Sequence, residues 1–236
     1  SIYTTTYRKD LDVIVLDEMN LARIEYYFAE FLSIMEMRDT SDWLIDLIPS
    51  TLPGDPVNLK EGKLLIPQNA IFFGTANNDD STFTISDKVY DRAISLFFDD
   101  KGRPFEAEMQ EPISIPYSQI ESLYAEAKKQ FSISEQMLEK FEDLDNFVIR
   151  KFKLAFGNRI LNQRETFVPT YVACGGTEEE ALDDILAKKV LRKLESQNPI
   201  YIKAKADDLI NKMNEIFGKD KTPVCEAVIR KLANNS

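Results

Sequence analysis

The sequence contains no histidine and only two cysteines, Cys174 and Cys225, among its 236 residues. The absence of histidine excludes Ser-His-Asp and Cys-His catalysis, together with zinc sites built on imidazole. Two distant cysteines form neither a disulfide framework nor a metal cluster, so we expect both to be buried, reduced side chains of a cytoplasmic protein. Any acid–base chemistry must therefore come from carboxylates, lysine or tyrosine.

Long apolar runs and a positive charge excess are missing as well. No stretch approaches the length that spans a bilayer, so we expect no membrane partner. The formal net charge is −11, and residues 1–116 carry all of it, with 10 Lys and Arg against 21 Asp and Glu. A nucleic-acid grip needs clustered Lys and Arg, so the composition argues against direct nucleic-acid binding.

The segment DVIVLDEMNLAR at residues 12–23 is the most informative stretch that is present. Its run of β-branched residues predicts a strand buried on both faces, as in parallel α/β sheets. Asp17 and Glu18 follow directly, at the strand end where open α/β sheets bind ligands. This pairing suits a nucleoside triphosphatase, in which one carboxylate helps to hold Mg²⁺ and the next acts on the attacking water. The alternative is a pair of solvated loop acids without a function.

A second apolar run, AIFFGTAN at residues 70–77, and the later pair Asp91-Arg92 complete a pattern of three motifs. In this order, DEMNLARIEYYFAEFLSIME and GTANNDDSTFTISDKVYDRA resemble the AAA+ ATPases, in particular their McrB-like and MoxR-like branch. The resemblance covers residues 10–100 well and residues 155–195 more weakly.

The resemblance implies roles for individual residues. Asp17 would belong to the Mg²⁺ shell and Glu18 would orient the attacking water. Asn77 would be the sensor on the neighbouring strand, with Thr75 as the alternative. Arg92 would be an arginine finger that reaches the adjacent subunit of a ring; the alternative is a surface ion pair with Asp91 or Asp87.

Three further residues are implied as contacts of the nucleotide. Arg159 in GNRILNQ resembles the lid arginine that senses the γ-phosphate, with Arg164, Arg192 and Lys189 as rivals. Asn20 and Arg23 would connect Glu18 to the neighbouring subunit. The alternative for Asn20 is a cap at a helix entry, and for Arg23 an ion pair with Glu25 or Glu30.

A phosphate-binding loop, Gly-x-x-x-x-Gly-Lys-Ser/Thr, does not occur in the sequence. The two Gly-Lys pairs, at residues 62–63 and 218–219, lack both the first glycine and the final hydroxyl residue. We therefore expect the rear portion of an ATPase module, which binds nucleotide poorly by itself. Its cofactor in the complete module would be Mg²⁺ with ATP or GTP.

Hydrophobic periodicity predicts the remaining organisation. A helix with one apolar stripe is expected over residues 24–37, a short hairpin strand over 63–66, and a helix from 87 to about 95. Capping boxes are expected at Ser118-x-x-Glu121, Ser132-x-x-Glu135 and Thr177-x-x-Glu180, and a last helix beginning at Pro223. The predicted fold class is α/β: a partial parallel-sheet AAA+ core over residues 1–116, bounded at 112–116 and followed by an α-helical lid domain over 117–236.

The predicted function is that of an AAA+ nucleoside triphosphatase fragment that works in a self-associating ring, with a nuclease or another effector subunit as a further partner. Two alternatives stay open at this point. One is a non-catalytic interaction module derived from the same fold. The other is a metal-dependent phosphodiesterase or nuclease in which Asp79 and Asp80 join Asp17 at a metal.

Overall fold

The structure is a computed structural model that describes residues 10–37, 39–56, 58–77, 81–98, 102–111 and 114–234. It divides into two compact units, Ser1–Glu121 and Ser122–Ser236. The division falls inside the helix Tyr117–Gln130, whereas the predicted boundary at residues 112–116 precedes that helix; residues 112 and 113 lie outside the described chain.

A two-stranded parallel sheet carries the predicted motifs. Strand β1 (Asp12–Leu16) pairs with β5 (Ala70–Gly74), in a register that joins Asp12 to Ala70 and Leu16 to Gly74. On one face, Leu16 and Phe72 pack against the helices described below.

The other face of this sheet is exposed. Val13, Val15, Ile71 and Phe73 have relative exposures of 55%, 59%, 37% and 53%. The prediction that β1 is buried on both faces is therefore wrong for the described chain. The apolar residues suit β1 to a sheet that is covered on both faces. Among the described residues, none covers this second face.

The expected helix over residues 24–37 is two short helices, α1 (Ile24–Tyr27) and α2 (Ala29–Ile34). The break lies at Phe28, whose φ of −122° and ψ of 0° are not helical. The Phe28 ring stacks on Phe31, 5.1 Å between centroids, and meets Phe72 edge-on at 5.3 Å. The predicted apolar stripe is nevertheless core, since Ile24, Phe28 and Leu32 are all buried.

A small antiparallel sheet has the strand order β2 (Leu44–Asp46), β4 (Lys63–Leu65), β3 (Leu59–Lys60). The predicted hairpin strand at 63–66 is thus confirmed as β4. The turn between β3 and β4 holds Glu61 and Gly62 at φ values of 53° and 78°, the positive-φ pair of a tight hairpin turn. A Cβ on Gly62 would lie 2.0 Å from the Ile48 carbonyl oxygen, so the position requires glycine. The helix expected from residue 87 is α3 (Asp87–Tyr90), and it ends earlier than predicted.

The second unit is helical, as predicted. Its helices are α4 (Tyr117–Gln130, shared with the first unit), α5 (Glu135–Phe152), α6 (Asn158–Ala173), α7 (Glu178–Lys189), α8 (Pro199–Phe217) and α9 (Pro223–Asn234), with a 3₁₀ segment at Leu191–Ser196. They enclose one apolar core, in which Phe141, Leu182 and Leu209 are almost fully buried.

The helix starts test the predicted caps. The capping box of Thr177 and Glu180 is confirmed, and so is the helix start at Pro223. The cap of α5 is Ser134 rather than Ser132, since Ser134 Oγ accepts from the Met137 amide at 3.3 Å. The Ser118 box is wrong because α4 begins one residue earlier, at Tyr117, which places Ser118 inside the helix.

The two cysteines differ in environment. Cys225 is buried as predicted, and burial raises the pKa of its thiol well above the usual value. Cys174 is exposed at the end of α6, so the prediction of a buried side chain is wrong there. Among the described residues, no helix has both the length and the apolar character to cross a membrane.

Candidate active site at the carboxyl ends of the parallel strands

The carboxyl ends of β1 and β5 lie side by side, because the strands are parallel and in register up to Leu16 and Gly74. Backbone hydrogen bonds continue beyond the strands: the Thr75 amide donates to the Leu16 carbonyl at 3.0 Å, and the Met19 amide donates to the Thr75 carbonyl at 2.8 Å. The segment from Asp17 to Leu21, here called the acid turn, is therefore bonded directly to the segment that follows β5.

Thr75 connects the two acids through one hydroxyl group. Thr75 Oγ1 donates to Asp17 Oδ1 at 2.6 Å and accepts from the Glu18 amide at 2.8 Å. Asp17 and Glu18 are both exposed. The hydroxyl orients the Asp17 carboxylate and leaves its other oxygen for a ligand, and the acids open to solvent at the end of the sheet where ligands bind.

Glu18 has a left-handed backbone conformation, with φ 48° and ψ 45°. This conformation costs a residue with a Cβ about 1–2 kcal/mol. Backbone strain of this kind collects at functional sites, where the surrounding structure holds it in place. Gly74, at the end of β5, is glycine for a steric reason, since a Cβ there would lie 2.0 Å from Met19 Sδ.

Asn77 is exposed on the segment that follows β5, at the same end of the sheet as the acids. Its carbonyl oxygen accepts from Thr82 Oγ1 at 2.8 Å and from Asn20 Nδ2 at 2.7 Å. Asn20 itself is 4% exposed within a 3₁₀ turn, Met19–Leu21, and does not cap a helix; the N-cap of α1 is Arg23.

Arg23 is exposed and lies against aromatic rings. Its guanidinium carbon is 5.5 Å from the centroid of the Phe83 ring and 5.9 Å from that of Tyr26. The Tyr27 hydroxyl stabilises the acid turn by donating a hydrogen bond to the Met19 carbonyl at 2.7 Å. Burial raises the pKa of this phenol. Tyr27 therefore stays protonated, and remains a donor, throughout the neutral pH range.

Arg92 follows α3 and forms an ion pair with Glu36, in which Nε lies 2.8 Å from Oε2. Both side chains are largely enclosed, with exposures of 21% and 26%. The sequence alternative named Asp91 or Asp87 as the partner, and it missed Glu36, which lies far away along the chain. No local pattern indicates such a pairing.

Arg159 belongs to the second unit, as the second residue of α6, where it is half-buried. Two of the alternative residues pack within the helical unit. Lys189 is buried, and the Arg164 guanidinium lies 4.8 Å from the centroid of the Phe141 ring and pairs with Glu165. The assignment of the lid arginine to Arg159 stays a prediction.

The described residues contain no group of three or more acidic, cysteine or histidine side chains that would hold a metal by itself. Asp79 and Asp80, named in the phosphodiesterase alternative, lie outside the described residues. Asp17 nonetheless fits Mg²⁺, because this ion is usually held by one or two carboxylates together with water and substrate phosphates rather than by an all-protein cage.

Comparison of the chain with protein-family models, curated proteins and solved structures returned no match in any of the three. The functional assignment therefore depends on the sequence motifs and on the geometry of the site.

Proposed function

We propose that this chain is the metal-binding and water-orienting portion of an AAA+ nucleoside triphosphatase. The observation that carries the proposal is the Thr75 hydroxyl, which joins Asp17 and Glu18 at the common carboxyl end of two parallel strands. The acids are exposed there, and the second of them is held in a left-handed conformation.

In this proposal each residue has one task. Asp17 holds Mg²⁺ through water, and the bound ion neutralises charge on the triphosphate. Glu18 orients the attacking water, and Asn77, or Thr75, fixes that water or the γ-phosphate from the neighbouring strand. Arg159 is retained as the proposed sensor of the γ-phosphate.

Arg92 acts on the nucleotide of the adjacent subunit as an arginine finger, which stabilises charge that develops in the transition state. In the structure this guanidinium is occupied by its ion pair with Glu36, so the finger role requires that the pair be released. The guanidinium has to exchange Glu36 for the phosphate, so ring assembly and release of this pair are coupled in the proposal. ATP and GTP are both retained as substrates.

The phosphate loop comes from polypeptide beyond residues 1–236 in this proposal. The exposed sheet face formed by Val13, Val15, Ile71 and Phe73 supports such an additional layer. Parallel sheets are normally covered on both faces, and two strands alone make a marginal sheet.

The same exposed face favours a second candidate, a non-catalytic module that binds a partner protein there. The two candidates differ in one respect. The triphosphatase requires the acids, whereas the interaction module does not.

Complementation tests the proposal. Alone, the chain is expected to hydrolyse Mg-ATP and Mg-GTP negligibly, because it lacks a phosphate loop. Joined to an upstream segment that carries Gly-x-x-x-x-Gly-Lys-Ser/Thr, it is expected to turn over at least one of them. A joined protein that folds, binds its triphosphate and remains inactive with both would favour the interaction module.

A further inference from the structure

Asn20 joins the acid turn to the segment after β5 through three hydrogen bonds. Its side-chain Nδ2 donates to the carbonyl oxygens of Asn77, at 2.7 Å, and Phe83, at 3.1 Å. Its own carbonyl accepts from the Phe83 amide at 2.9 Å. One buried side chain thus holds two points of the chain on either side of residues 78–82.

The side-chain amide of Asn20 holds this segment through its NH₂ group alone. Asn20 Oδ1 is buried and has no hydrogen-bond partner among the described residues. An unpaired buried acceptor destabilises the folded chain, so an apolar side chain would avoid a penalty that Asn20 accepts. The two donated bonds are what the asparagine supplies.

We propose that Asn20 is a positioning residue, whose amide holds the Asn77 backbone beside the acid turn and so places the sensor side chain relative to Glu18. Asn20 lies two residues from Glu18, and its side chain contacts the Asn77 carbonyl directly. The tether itself is independent of the proposed function, while its effect on hydrolysis depends on that function.

Another buried asparagine provides a matched control at the opposite end of the same sheet. Asn69 is 2% exposed, and its Nδ2 donates to the Asp10 carbonyl at 2.7 Å, close to the start of β1. Asn69 matches Asn20 in burial and in donating to a backbone carbonyl, and its Nδ2 also donates to Asp12 Oδ2 at 3.4 Å. The acid turn lies at the other end of the strands.

Hydrogen–deuterium exchange of the chain tests the tether directly. Asn20→Asp removes the donor with little change in shape, and Asn20→Ser, which is too short to reach both carbonyls, serves if the aspartate variant does not fold. We expect exchange over residues 75–77 and 81–86 to accelerate at least tenfold in the Asn20 variants and not in Asn69→Ser, which avoids placing a second carboxylate beside Asp12. Unchanged exchange in the Asn20 variants, or an equal acceleration in Asn69→Ser, would overturn the proposal.

The kinetic arm uses the chain joined to a phosphate-loop segment. Misplacement of a water-orienting group lowers kcat rather than affinity, so Asn20→Ser should lower kcat about 10- to 100-fold with KM within twofold. Asn69→Ser should leave both close to the unsubstituted values. An unchanged kcat in Asn20→Ser would refute the positioning role; an inactive unsubstituted protein would instead refute the proposed function, and the exchange experiment would still decide the tether.

Discussion

At the scale of single residues, the site is organised by backbone geometry and one hydroxyl group. Glu18 and Glu61 are both exposed glutamates in the left-handed conformation, with φ values of 48° and 53°. Glu61 has a plain structural reason, since it forms the hairpin turn with Gly62. Glu18 lies between Asp17 and the buried Asn20. A glycine there would adopt the left-handed conformation with less strain.

Replacement of Glu18 by glycine should therefore stabilise the first unit. Relief of the left-handed conformation gains about 1–2 kcal/mol, and the greater freedom of glycine in the unfolded chain removes about 0.5–1 of it. We expect Glu18→Gly and Glu61→Gly each to raise the free energy of unfolding by about 0.5–1 kcal/mol. Urea titration followed by the fluorescence of Trp43, the only tryptophan, measures this for the first unit. A clear loss of stability in Glu18→Gly alone would show that its carboxylate has a structural role.

At the scale of elements, a buried carboxylate fastens the last helix to its neighbour. Asp183 on α7 is 2% exposed and accepts from the amides of Val224 and Cys225 at 2.8 Å each. These amides belong to the first turn of α9, which has no carbonyl partners of its own there. Asp183 thus caps a helix that is distant in sequence.

Asp183→Ala should lower the free energy of unfolding of the helical unit by about 1–3 kcal/mol, because it leaves two amides without their acceptor. The matched control is Asp208→Ala, which removes an exposed ion pair with Lys205 and should cost less than about 0.5 kcal/mol. Far-UV circular dichroism during urea unfolding gives both values. Equal effects of the two substitutions would contradict the capping role.

Sequence reasoning succeeded for elements that depend on local patterns. β1, β5, β4 and the Thr177 capping box were all predictable because short apolar runs and cap spacing involve residues that lie close together in the sequence. It was less accurate where two local signals compete, as with Ser132 and Ser134, or where packing decides, as at Phe28, whose ring stacks on Phe31 and meets Phe72 edge-on.

At the scale of the whole molecule, the sequence did not reveal the contacts that join distant segments. The apolar run of β1 predicted a parallel strand, and the resemblance to AAA+ ATPases predicted that the strand carrying the sensor lies next to it; the observed pairing of β1 with β5 agrees with both. The Thr75 bridge, the Asn20 tether and the Arg92–Glu36 ion pair depend on side-chain directions that appear only after folding. The exposed sheet face was missed because an apolar run indicates what a strand requires, not which residues cover it.

The proposed function requires the acid pair to act upon a triphosphate. The exposed face and the absent phosphate loop are both consistent with a larger assembly, but neither distinguishes a working site from a retained fold. Substitution of Glu18 distinguishes a working site from a retained fold, since the proposed mechanism needs this residue for hydrolysis and not for triphosphate binding.

The most direct measurement compares triphosphate binding and turnover in the joined protein with Glu18→Gln, using Glu61→Gln as the control. Glu18→Gln should bind Mg-triphosphate within about threefold of the unsubstituted affinity and lose at least about 100-fold in turnover. Glu61→Gln should retain both. Turnover in Glu18→Gln equal to that of the unsubstituted protein would contradict the assignment of the acid turn as the catalytic centre.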